Sequence, residues 1–239
     1  MSASLRLRLR SVVDSCERIS SIYRDFLLAL PEEGSVSGQE VRSKYPSLRV
    51  GIQGGQGSFN EEALRSFFVP IDSLNLHLQY CYTTQGVLDY VTRGDEVLGQ
   101  FAVFNSFGGV VEETERAMGS ASVVPVALYS IPIRHFLLLP PEQKRGDLKM
   151  ILAHPQVLKQ CRGNLEKHFP QCQLRSGEGE LIDTARLAKA LIEKDPRVPR
   201  NSAVLGPKVL STILPFSVSE SSFEDSPDNR TWFLLVRRA

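Results

Sequence analysis

From residue 48 onward the chain alternates short apolar runs with stretches whose apolar residues recur every three or four positions. Runs of strand length lie at 48–53, 76–82, 101–104, 123–128, 133–139, 149–153, 202–205 and 231–236. Helical periodicity marks 58–68, 84–93, 109–118, 155–168, 180–193 and 207–213. This alternation predicts an α/β protein with mainly parallel sheets flanked by helices. Ahead of it, residues 11–30 read as one amphipathic helix with Val12, Val13, Cys16, Ile19, Ile22, Phe26 and Leu27 on a stripe. Ser37 and Glu40 have capping-box spacing for a short second helix ending by Tyr45, before Pro46. Residues 1–47 are thus expected to be an N-terminal helical extension that packs on the body or mediates a dimer. Polar surface loops are expected at 140–146 and 220–230.

Several strands run directly into a polar cluster that starts a helix. Ile52 leads through Gly54, Gly55 and Gly57 to Ser58, with Glu61 at capping-box spacing. Phe104 leads to Asn105, Ser106, Gly108 and Gly109. Ala153 leads to His154, with Pro155 at the favoured first helical position, and Gly206 leads to Pro207. Glycine turns that open into helix N-termini aim backbone N–H groups at one point and form anion seats. The phosphate loop GxxxxGK[ST] is excluded because Gln56 and Gly57, not lysine, precede Ser58; the spacing of Gly51, Gly54, Gly55 and Gly57 also misses GxGxxG. A lone glycine cluster of this kind also suits a plain strand–turn–helix corner.

Composition narrows the partners. A chain of 239 residues with 42% hydrophobic and 23% charged residues is long enough for a sizeable core. A net charge of +1 argues against nucleic acid, and no apolar run reaches membrane-spanning length. Cys16, Cys81, Cys161 and Cys172 are scattered without CxxC or zinc spacing, so no metal is expected and a reducing, cytoplasmic compartment is. Arg6, Arg8 and Arg10 near the start leave a plastid transit peptide as the alternative, although Leu-Arg alternation has the wrong period for one.

Four blocks in order carry a resemblance. They are Gly54-Gly55-Gln56-Gly57-Ser58-Phe59-Asn60-Glu61-Glu62-Ala63, Phe104-Asn105-Ser106-Phe107-Gly108-Gly109, His154-Pro155-Gln156-Val157-Leu158-Lys159-Gln160-Cys161 and Asn229-Arg230-Thr231-Trp232-Phe233. Together they resemble the catalytic domain of prephenate dehydratase over residues 48–236, without the C-terminal ACT regulatory domain, for which the chain leaves no room. The resemblance implies a two-lobed fold like type 2 periplasmic binding proteins. Lobe 1 would be 48–130 and 214–239, lobe 2 would be 131–213, and the active site would lie in the interlobe cleft. It further implies decarboxylating dehydration of prephenate to phenylpyruvate in phenylalanine biosynthesis, with arogenate as an alternative substrate. Thr231 would assist departure of the ring hydroxyl. Gly57, Ser58, Asn105, Ser106, His154, Gln156, Ser176 and Phe233 would bind the substrate, with amides near Ser58, Ser106 and Gln156 holding its carboxylates. Neither cofactor nor metal is implied, and a homo-oligomer is.

Departures from the family pattern keep other readings open. Phe104 and Gly108 stand where acids are usual, Ala102 replaces a proline, Gly177 replaces the threonine of a Ser-Thr pair, and Trp232 replaces an arginine. Strand alternation would turn Trp232 away from Thr231 and make it a packing residue. A non-aromatising prephenate decarboxylase and a catalytically silent binding protein for a small acid are the competing functions. Taken singly, Thr231 is also an ordinary β-branched strand residue, and Asn105 and Ser106 are ordinary turn formers.

Overall fold

The computed structural model describes residues 13, 20–45, 47–69, 76–118 and 123–239. Val12, Cys16 and Ile19 of the leading stripe and the arginines near the start lie outside the described residues. The chain divides into two compact units, Met1–Gly54 with Asn60–Pro132 and Arg230–Ala239, and Gly55–Phe59 with Ile133–Asn229.

In the first unit, α1 (Ser21–Ala29) and α2 (Gly38–Lys44) precede β1 (Leu48–Ile52), α3 (Phe59–Phe67), β2 (Leu76–Tyr80), α4 (Thr84–Arg93) and β3 (Val97–Asn105). Then come β4 (Gly109–Val110), α5 (Glu112–Met118) and β5 (Val123–Pro132). The last strand of the chain, Arg230–Arg238 and labelled β11 below, returns to this unit. The six-stranded sheet has the order β2-β1-β3-β11-β5, with β4 beside β3. β1 runs parallel to β2 and β3, whereas β11 is antiparallel to both β3 and β5. All nine residues of β3 are buried, as befits a strand covered on both faces. One face carries Tyr23, Leu27, Val87, Val91, Phe101, Val103, Trp232, Leu234 and Val236 in a single apolar cluster. On the other side of β11, Phe233 stacks on Tyr129 (6.3 Å) and Tyr129 on Phe67 (4.1 Å).

The second unit comprises β6 (Phe136–Leu139), β7 (Met150–Leu152), α6 (Pro155–His168), β8 (Gln173–Arg175), α7 (Thr184–Ile192), β9 (Ser202–Gly206), α8 (Leu210–Ile213) and β10 (Ser217–Ser222). Its five-stranded sheet has the order β10-β6-β9-β7-β8, in which only β6 runs against the rest. Strand alternation splits the core. Leu137, Ile151, Ala203 and Leu205 pack on α6 through Val157, Leu158, Cys161 and Leu165, while Leu138, Leu152 and Val204 pack on α7 through Leu187, Ala188 and Ala190. The α/β class with sheets flanked by helices holds in both units, but the sheets are mixed rather than mainly parallel, because β11 inserts antiparallel between β3 and β5 and β6 runs antiparallel to both of its neighbours.

Several expectations are corrected. The chain leaves the second unit at Arg230, not near Leu214, because Ser217–Ser222 is a strand paired with β6. Its sequence, Ser-Val-Ser-Glu-Ser-Ser, has no apolar run to announce it. Gly109–Val110 pairs with β3 rather than opening a helix. Helix α7 starts only at Thr184, where the Asp183 side chain caps the Arg186 N–H at 2.9 Å. On α1 the expected stripe is rotated: Ile22 is 81% exposed, whereas Tyr23 is buried and donates to Val103 O at 3.1 Å. The α1 helix packs within the first unit, and the Ser37–Glu40 capping box forms as expected. Among the described residues no helix is long and apolar enough to cross a membrane.

Candidate active site

The strand ends of β3 and β11 bring Asn105, Ser106 and Thr231 together. Thr231 lies opposite Asn105 in the ladder, and both are buried. Asn105 Oδ1 accepts the Phe107 and Gly108 N–H groups at 2.9 and 2.6 Å, closing an Asx-type turn. Those two donors fix which end of the amide is oxygen, so Nδ2 faces the other way. It donates to Thr231 Oγ1 at 2.8 Å and to Arg230 O at 3.0 Å. Ser106 locks the same spot: its N–H donates to Arg230 O at 2.8 Å, and its Oγ accepts the Arg230 N–H at 2.9 Å.

The chemistry of this cluster follows from donor counting. Thr231 Oγ1 is held as an acceptor by Asn105, which leaves its O–H to donate to another oxygen. An amide donor also stabilises charge that builds on the hydroxyl oxygen as it does so. The β3–β11 ladder shifts register between Trp232 and Phe233, a bulge beside the pair.

At the three turns expected to seat carboxylates, four backbone amides have partners inside the chain. The Gly108 and Phe107 amides next to Ser106 go to Asn105 Oδ1. The Gln156 N–H goes to His154 Nδ1 at 3.2 Å, and the Ser58 N–H goes to Gly55 O at 3.2 Å. Polar side chains and carbonyls close to each turn cap these groups locally, which glycine spacing does not foretell. The His154 contact sets its tautomer, since an accepting Nδ1 puts the proton of the neutral ring on Nε2. Burial lowers the His154 pKa, opposed by the Asp183 carboxylate, and so favours that neutral ring.

The glycine turn is built as its residues require. Gly54 and Gly57 have φ of +84° and +82°, and Leu210 Cδ2 would lie 2.4 Å from a Cβ on Gly57. Ser58 is half-buried and Gln156 exposed. Glu61, expected only to cap, is buried; it accepts from Arg65 Nε at 2.8 Å and from the Tyr80 hydroxyl at 3.1 Å. Burial and then this carboxylate push Tyr80 up to about 12. Ser176 follows β8, half-buried. Beside it, a Cβ on Gly177 would sit 2.0 Å from Leu181 O, so the threonine usual there has no room. Phe233 is 1% exposed in its stack with Tyr129, which makes it a packing residue of the strand.

Two buried networks escaped the sequence reading. In the second unit, Gln160 Oε1 accepts from Asn229 Nδ2 and takes the proton of His135 Nε2, both at 3.0 Å. His135 Nδ1 is then a buried lone pair with no partner among the described residues. Burial lowers this histidine to about 4, against the raising effect of Gln160. In the first unit, Gln53 accepts the Ala102 N–H at 3.0 Å and donates to Glu113, which in turn accepts the Thr84 N–H at 2.6 Å. No signal in one sequence joins such distant polar residues, because each looks like an ordinary surface or cap residue.

Comparison with known proteins places this geometry. The prephenate dehydratase family model matches residues 50–239. A bifunctional chorismate mutase/prephenate dehydratase of Pseudomonas aeruginosa is 27% identical over 194 residues, covering 79% of this chain and 48% of that protein. Arogenate dehydratase 2 of Petunia hybrida is 26% identical, covering 80% of this chain and 45% of that protein. The chain thus spans about half the length of these relatives. A solved prephenate dehydratase from Arthrobacter aurescens, in complex with L-Phe, superposes with a TM-score of 0.70 at 26% identity, over 80% of this chain and 61% of that one. The matched span runs from the glycine turn through Asn105 and Gln160 to the Thr231 strand, and this chain belongs to the prephenate dehydratase family.

Proposed function

We propose that this protein converts prephenate to phenylpyruvate by decarboxylating dehydration. The observation that carries the reading is the 2.8 Å hydrogen bond from Asn105 Nδ2 to Thr231 Oγ1, with Asn105 itself fixed by two backbone amides. As the ring carboxylate leaves as carbon dioxide, its electron pair flows through the diene and expels the ring hydroxyl, which takes up one proton from solvent and leaves as water. The Thr231 O–H hydrogen-bonds that departing oxygen, and Asn105 stabilises the charge that Thr231 gathers. Aromatisation drives the step, so orientation is the enzyme's main contribution. Of the second unit's residues, the Ser58 and Ser176 hydroxyls, the Gln156 side-chain amide and the neutral His154 Nε2–H are donors of the type that a carboxylate takes.

Arogenate is the second substrate reading, favoured by the similarity to the Petunia protein. Free thiols at Cys81, Cys161 and Cys172 support a reducing compartment such as the cytoplasm. Ile22, 81% exposed, offers an apolar contact for a second copy in a homo-oligomer. The test is a product assay with both substrates. Phenylpyruvate absorbance in alkali from prephenate, or phenylalanine from arogenate, supports dehydration. Carbon dioxide without aromatic product would replace the reading with a decarboxylase, and binding without turnover would replace it with a silent binding protein.

A further inference from the structure

Glu33 lies on the turn after α1, ahead of the residues that the family model matches. Its Oε2 accepts the indole N–H of Trp232 at 2.7 Å. Its Oε1 accepts the Ser130 hydroxyl, whose oxygen in turn accepts from Arg230 Nε and Nη2 at 3.2 and 2.9 Å. The turn itself is tied to β5, since the Gly34 N–H donates to Leu128 O at 3.0 Å. Arg230 and Trp232 are the two chain neighbours of Thr231. Strand alternation places both on the face opposite the Thr231 side chain. One carboxylate therefore grips β11 from behind, on either side of the residue that points to Asn105.

This grip acts where the sheet alone is weakest. The β3–β11 ladder is irregular between Trp232 and Phe233, so backbone pairing specifies the strand path less firmly there. Threonine is stiff about χ1, so the place of Oγ1 follows the backbone of residue 231. The Trp232 indole, 1% exposed, is the rigid lever between carboxylate and strand.

We propose that Glu33 is a positioning residue for the Thr231 hydroxyl, acting through Trp232 on one side and Ser130–Arg230 on the other. The proposal rests on the dehydratase reading above. It makes the N-terminal segment part of the catalytic apparatus, although none of its residues belongs to the family's matched span.

The test compares Glu33→Gln, Glu33→Ala, Trp232→Phe and the Glu33→Ala/Trp232→Phe pair with the unsubstituted chain. Trp232 is the sole tryptophan of the chain, so its emission reads the contact directly. Glu33→Ala is expected to lower kcat about 10- to 100-fold, the scale of a small misplacement of a reacting group, with KM held within about threefold. Trp232 emission shifts as the indole loses its carboxylate. Gln keeps one acceptor oxygen and falls between wild type and Ala. Trp232→Phe removes one of the two links and slows turnover by no more than Glu33→Ala, and the double variant is no slower than Glu33→Ala, because that change already removes the Trp232 link. If Glu33→Ala does not fold, the Gln and Phe variants carry the same comparison. A wild-type kcat retained within twofold in these variants, or additive losses in the double variant, overturns the proposal. A wild type that dehydrates neither prephenate nor arogenate instead removes the functional reading, and the emission shift still reports whether Glu33 holds Trp232.

Discussion

Replacing Thr231 with valine separates the chemistry of the hydroxyl from its part in the fold. The two side chains have nearly the same shape, so at residue 231, 8% exposed, what changes is the hydroxyl and not the volume. The structural loss is one hydrogen bond, from Asn105 Nδ2, which still donates to Arg230 O at 3.0 Å. Asn105 also keeps both amide contacts at Oδ1. One proton of a buried amide left without a partner costs about 1–2 kcal/mol, which lowers Tm by about 2–8 °C for a domain of this size. Turnover suffers far more. Removing a preorganised donor to a charge-bearing oxygen costs about 10²- to 10³-fold in kcat, roughly 3–4 kcal/mol. Thr231→Ser keeps the hydroxyl and should recover most of the rate. Purified variants would be followed by phenylpyruvate absorbance in alkali, with thermal melts alongside. A valine variant that turns over within tenfold of wild type refutes the assigned role, and so does a serine variant as slow as valine.

Further outcomes follow from the buried groups and the tight glycines. His135 has a folded-state pKa of about 4, below the ordinary histidine value, so the unfolded chain binds the extra proton. Its contribution to stability is therefore complete above about pH 6.5 and falls as pH drops toward 4, by roughly 2 kcal/mol between pH 7 and pH 5. Urea melts should show this slope in wild type and a flatter one in His135→Asn; equal slopes would contradict the assignment. Gln160→Leu strands the His135 and Asn229 donors and should cost about 2–5 kcal/mol in a urea melt, an effect that a surface glutamine would not show. Gly57→Ala places a side chain at φ +82° against Leu210 and should destabilise by about 1–2 kcal/mol or more. Gly177→Thr restores the hydroxyl common in the family but meets Leu181 O, so it should lower Tm without raising kcat; a faster, equally stable variant would show that the corner has room.

Much of this protein is written locally. The helices at Thr84–Arg93 and Pro155–His168 begin and end where the apolar period and caps place them, because capping and turn chemistry act over a few residues. The buried strands β1 and β11 declare themselves as apolar runs, and β3 does so over 101–104 of its Val97–Asn105 length. Thr231, Asn105 and Ser106 could be singled out because their blocks match a family pattern.

Tertiary structure decided what depends on distant partners. The polar strand Ser217–Ser222 exists because β6 offers it a ladder, which no local period encodes. That pairing also decides where the chain returns to the first unit. The Gly108, Gln156 and Ser58 amides at the turns read as anion seats have local partners in Asn105, His154 and Gly55, which only the folded turn reveals. Glu33 and Trp232 lie 199 residues apart in sequence and meet at 2.7 Å. A sequence shows which residues can donate and accept; only the fold brings the two halves of such a bond together.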